Sequence, residues 1–114
     1  MDASTVTAPP SANIELQWVN SQQLAIRPCF TGQGQRVRFE LSTDLTGQAG
    51  VSHSRQLGEL ELSNDPRCPA TNRQGLHGDS QLIVRLRWWL NGQQQPDVIQ
   101  QIRGDDRVNN SAKS

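Results

Sequence analysis

Three observations predict an all-β chain built as an immunoglobulin-like antiparallel β-sandwich of about seven strands. Apolar residues alternate with polar ones at period two, turn signals recur at short intervals, and no stretch carries a convincing helical repeat. The core segment, about 90 residues, suits a two-sheet sandwich, with a small closed barrel as the alternative. "NIELQWV" puts Ile14, Leu16 and Trp18 on one face, with Glu15 and Gln17 on the other. "QLAIRPCF" turns Leu24, Ile26 and Phe30 to one side, and Pro28 marks an edge or a strand end. "TGQGQ" is a glycine-rich turn, and "RVRFELS" then alternates with Val37, Phe39 and Leu41 inward and Arg36, Arg38 and Glu40 outward. "TDLTGQAG" reads as a loop, "VSHSRQ" as a short polar strand, and "GELELS" as a strand with Leu60 and Leu62 inward. "NDPRCPATNRQGLHGD" is aperiodic and reads as a long connection. "SQLIVRLRWWLNG" is the most apolar strand, its inner face formed by Leu82, Val84, Leu86, Trp88 and Leu90. Its "NG" predicts a tight hairpin, from which "PDVIQQIR" returns as the last strand.

The chain has 114 residues, enough for one domain, and only 33% of them are hydrophobic. Polar tails are expected over residues 1–12 and 104–114, around a domain spanning 13–103. The N-terminal "MDASTVTAPPSAN" lacks a basic start followed by an apolar run, so no secretion leader is read there; Met1 is compatible with a start placed before a trimmed mature sequence. No apolar run approaches the roughly 18–20 residues of a membrane span, and none is expected to insert. Basic and acidic residues number eleven each. Nucleic acid is therefore not expected as the main partner, because such domains carry a basic excess. All the basic residues but Lys113 are arginines, whose planar forks make directional, multi-donor contacts, so their placement matters more than their sum.

Catalytic patterns are weak. In "GVSHS" Ser52 and Ser54 share a strand face while His53 points the other way, so neighbours there cannot act as nucleophile and base. His53 and His77 are the only histidines and neither has a second ligand at metal spacing, so no metal site and no cofactor is expected. The carboxylates form no acid–base pair; Glu59 and Glu61 share an outer strand face. Gly32 and Gly34 open a strand rather than a helix, which removes a phosphate-cradle reading. Cys29 and Cys68 suit one structural disulfide between the second strand and the long connection, with buried free thiols and a redox pair as alternatives. Such a bridge implies an oxidising compartment.

Pairing the third strand with the sixth would gather Arg36, Arg38, Arg85 and Arg87 on one outer face, with Trp89 at its end. Two roles fit this cation-rich, stacking-capable surface. The arginines guard "LIVRLRWWL" against aggregation, or they bind another β-forming chain, and the two are compatible.

Residues 24–102 resemble the curli assembly family that contains CsgC and CsgH. The carriers are "LAIRP", "RVRFELSTDLTGQAGVSHSRQLGELEL" with its Gly50, Ser52, Ser54, Gln56 pattern, and "RLRWWLNGQQQPDVIQQI". CsgC-type members carry a Cys-x-Cys pair where this chain has Arg36-Val37-Arg38, so the chain is more similar to CsgH-type members and no thiol chemistry carries over. The resemblance implies a periplasmic immunoglobulin-like sandwich without enzymatic activity, monomeric, which keeps a curli-type amyloid fibre subunit from polymerising before export. Arg36, Arg38, Arg85, Arg87 and Trp89 are the residues expected to meet that client. The alternatives are a carbohydrate-binding or adhesion module using Trp89 as a sugar platform, and a small thiol-disulfide enzyme using the cysteines.

Overall fold

The computed structural model describes residues 9–48 and 50–104, and the N- and C-terminal tails expected from the sequence fall mostly outside that range. Eight strands follow in chain order: β1 (Ser11–Trp18), β2 (Gln23–Thr31), β3 (Arg36–Gly47), β4 (Gly50–Glu61), β5 (Asn72–Gly75), β6 (Gln81–Leu90), β7 (Gln93–Gln94) and β8 (Val98–Arg103). They form two sheets with no strand in common. One has the order β1-β2-β5; the other runs β4-β3-β6, with β7 and β8 sharing the far side of β6. All pairings are antiparallel. The alternation read from the sequence thus yields a sandwich and not a closed barrel, because among the described residues no ladder joins the two sheets.

The inner faces supply the core. Leu24, Ile26 and Phe30 of β2 and Ile14 of β1 meet Val37, Phe39 and Leu41 of β3 and Leu82, Val84, Leu86 and Trp88 of β6. Phe30 lies at the centre, its ring 5.4 Å from Phe39 and 6.2 Å from Trp88, in tilted arrangements favoured by aromatic quadrupoles. The Trp88 indole N–H donates to the Pro96 carbonyl at 2.9 Å, so burying the ring leaves no orphaned donor.

Several details differ from the sequence reading. "TDLTGQ" is not a loop: β3 continues to Gly47 and turns back into β4, a single strand containing both "VSHSRQ" and "GELE". Polar side chains hid this continuity, because the inner face of β4 uses Ser54 and Gln56 where a buried strand would carry leucines. The long connection contributes β5, whose Asn72 and Gln74 also face inward. The first strand starts at Ser11, two residues before the expected domain boundary.

Pro28 sits inside β2, yet breaks nothing. Its neighbours Ile26 and Phe30 hydrogen-bond towards the β5 side, and β5 ends opposite Ile26 while Arg67 bridges only Phe30. The missing N–H of Pro28 therefore falls in a gap between two partners. Just beyond, Phe30 and Arg67 exchange two backbone hydrogen bonds of 2.9 Å, and the Cys29–Cys68 disulfide ties the same connection to the outer side of β2.

The "NG" turn is as read: Asn91 and Gly92 both have positive φ, 47° and 86°, in a two-residue hairpin closed by Leu90 and Gln93. This pair of left-handed residues matches the twist of the flanking strands. The return strand is not continuous. Between the β7 pairing (Trp89 with Gln94) and the β8 pairing (Leu86 with Val98) one extra residue is accommodated around Pro96. That bulge sets the phase of β8, so that Val98 and Ile102 face the core while Ile99 faces out, 53% exposed.

Candidate functional site: the outer wall of the larger sheet

The registers of β3, β4 and β6 fix which side chains share the outer wall. Arg38 stands opposite Trp89, Glu40 opposite Arg87 and Ser42 opposite Arg85; Arg36 lies beyond the last pair, with its backbone held to Asn91 in the turn. The structure therefore brings Arg36, Arg38, Arg85, Arg87 and Trp89 onto one face, as the alternation of the two strands leads one to expect. The guanidinium carbon of Arg38 lies 4.5 Å from the Trp89 ring centroid, a cation–π contact worth about 0.5–1 kcal/mol at an exposed site.

Sequence reasoning missed the other half of the wall. Because β4 pairs with β3 along its whole length, it adds Arg55, Glu59 and Glu61 beside the arginines of β3. Arg36 meets Glu59 at 3.5 Å; Arg55 and Arg87 approach opposite oxygens of Glu40 at 3.2 and 3.6 Å; Arg85 reaches Asp97 at 4.0 Å. Glu40 is the half-buried centre of this lattice, its side chain 14% exposed between the two guanidinium groups. The wall is thus an alternating ladder of charge and not a bare cationic strip. Such pairs at the surface contribute little stability each but hold the arginine forks in order. The signal was present in the period-two spacing of Arg55, Leu57, Glu59 and Glu61, but only the register of β4 shows that these residues adjoin Arg36 and Arg38.

Apolar side chains are set among the charges. Leu57, Ile83 and Ile99 point out from the same wall and are exposed, Leu57 to 69%. Two shallow depressions flank Trp89. One, about 360 Å³, is lined by Arg36, Arg38, Glu59, Trp89, Asn91 and Gly92. The other, about 330 Å³, runs between Arg38, Leu57, Arg87 and Trp89. Guanidinium donors, carboxylate acceptors and apolar patches within one surface can contact backbone amides and mixed side chains of an extended polypeptide.

The remaining candidates resolve simply. His53 faces out from β4 and hydrogen-bonds Asp44, while Ser54 faces in and hydrogen-bonds Thr43, so "SHS" is split between the two faces. Ser54 also accepts from Asn72 at 3.2 Å, and Gln74 donates to Thr43 at 3.3 Å, which makes a polar bridge between the sheets. The sulfurs of Cys29 and Cys68 lie near Glu15 but are bonded to each other, so they cannot serve as metal-binding thiolates. One face of Trp89 is already covered by Arg38, which obstructs the sugar-platform reading on that side.

No family model and no curated protein matches the sequence. Among solved structures, the fold is similar to R. palustris CsgH, with a TM-score of 0.63 and 13% identity, covering 79% of this chain and 89% of that one. It is also similar to the E. coli curli protein CsgC, with a TM-score of 0.61 and 20% identity, covering 80% of this chain and 97% of the other. The chain has a CsgC/CsgH-like β-sandwich fold.

Proposed function

We propose that the protein is a chaperone-like, non-enzymatic inhibitor of curli-type amyloid subunit polymerisation in the periplasm, binding the disordered subunit transiently before export. The observation that carries this reading is the guanidinium wall, ordered by Glu40, Glu59 and Asp97 and capped by the Arg38–Trp89 stack. The similarity of fold to a curli protein supports a curli-type client for the wall, and the Cys29–Cys68 disulfide suits an oxidising compartment.

A fibre subunit rich in Gln and Asn presents carbonyls and side-chain amides. Planar guanidinium forks donate to such acceptors in pairs, and each contact is weak and quickly reversed. Leu57, Ile83 and Ile99 add small apolar contacts to the same chain. Occupying the subunit in this way disfavours its nucleating conformers without trapping it, as delivery to an exporter requires.

The test is fibre growth of a curli-type major subunit, followed by dye fluorescence with the subunit in molar excess. Addition of the protein is expected to lengthen the lag, and raised salt to shorten it again by screening the wall. A lag unchanged by the protein rejects the proposal.

A further inference from the structure

Strand β4 is one of the two open edges of the larger sheet: among the described residues it pairs only with β3, as β7 and β8 at the other side pair only with β6. Twelve residues long, it carries no proline or bulge to keep the exposed edge from pairing, and its charged side chains, Arg55, Glu59 and Glu61, are of both signs. Its outward side chains read Val51, His53, Arg55, Leu57, Glu59 and Glu61, and Val51 and Leu57 are 78% and 69% exposed. This order is self-complementary. From the β4 edge we infer that two copies of the chain associate through antiparallel pairing of their β4 strands, about a two-fold axis at Leu57.

In that register Leu57 meets Leu57 of the second copy, Arg55 stands opposite Glu59, and His53 opposite Glu61. The Arg55–Glu59 and His53–Glu61 pairs each occur twice because the interface is isologous. Opposite charges and apolar pairs at directly facing positions stabilise a ladder, whereas like charges oppose it. The neighbouring registers are worse. Centring on Arg55 or Glu59 sets like charges face to face, and centring on Gln56 or Gly58 leaves Leu57 opposite a charge. The exposed leucine and the flanking charges thus choose both the occupant and its register. The two larger sheets would join into one continuous sheet, with their arginine walls side by side on the same face. In place of the monomer expected from the sequence, the edge supports a reversible dimer. An interface made chiefly of one strand pair falls at the small end of specific contacts, so association should depend strongly on concentration.

Sedimentation velocity on the full chain, from micromolar to about millimolar concentration, tests this. The native protein is expected to shift from monomer to dimer, and amide exchange in β4 to slow as concentration rises. Arg55→Glu alone and Glu59→Arg alone each place like charges in both facing pairs, and each should weaken self-association about tenfold. An equimolar mixture of the two variants restores opposite charges in both pairs and should dimerise about as well as the native chain. A native chain that stays monomeric, or single variants that associate as well as it does, overturns the inference. So does a mixture that associates no better than its components. Should a variant fail to fold, the native concentration series and the β4 exchange rates decide alone.

Discussion

Gly58 faces the core from β4 at a point where a β-carbon would lie 2.6 Å from the Phe39 ring. Phe39 is 2% exposed and packed against Phe30, so the ring has no room to retreat. Gly58→Ala is expected to destabilise the fold by about 1–3 kcal/mol, the usual cost of overpacking, seen as a lower urea midpoint. The same side of β4 carries Ser54 and Gln56, and the short polar chemistry of this strand is what the sequence disguised. The residues of the arginine wall were legible one by one, because alternation alone assigns Arg36, Arg38, Arg85, Arg87 and Trp89 to outward positions. The same alternation turns Glu40 and Glu59 outward but does not say which arginines they meet, because Glu40, Glu59 and Asp97 come from three segments whose adjacency depends on register. The Arg38–Trp89 stack needed the same information: its two members are distant in the chain and face each other only when Phe39 pairs with Trp88.

Strands with strong alternation, β1, β6 and β3 as far as Ser42, could be read directly, because each buries one apolar face. Those whose inner faces are polar or short, β4 and β5, were broken up or absorbed into loops. The bulge around Pro96 lay beyond sequence reading for a different reason: it is defined by two registers on opposite sides of one residue. At this scale the disulfide matters most. It closes a loop with a sequence separation of 39 and fastens a connection that also meets β2 through the Arg67 bridge and, further along, through β5. In the chain-entropy model that crosslink contributes about 4 kcal/mol. Replacing both Cys29 and Cys68 by alanine is expected to lower stability by about 2–4 kcal/mol, measured by denaturant unfolding beside the oxidised native protein. A loss below about 0.5 kcal/mol would mean that the connection is held by its packing and not by the bond.

Across the whole molecule, the sandwich divides its two faces of the larger sheet between different tasks. The inner face is a packed aromatic and aliphatic core. The outer face is an ordered set of guanidinium and carboxylate groups with scattered apolar side chains, resting on the most apolar strand in the chain. Guarding β6 against aggregation and meeting an amyloid-forming client are compatible uses of one surface, because both rest on arginines that shield a β face. What distinguishes them is whether the client's behaviour changes when the arginines go. The most direct measurement compares the native chain with a variant carrying Arg36→Ser, Arg38→Ser, Arg85→Ser and Arg87→Ser, its fold verified by circular dichroism, in fibre growth of a curli-type subunit. The wall account expects the native chain to prolong the lag and the variant to leave it near that of the subunit alone. A folded variant that prolongs the lag as much as the native chain would contradict it.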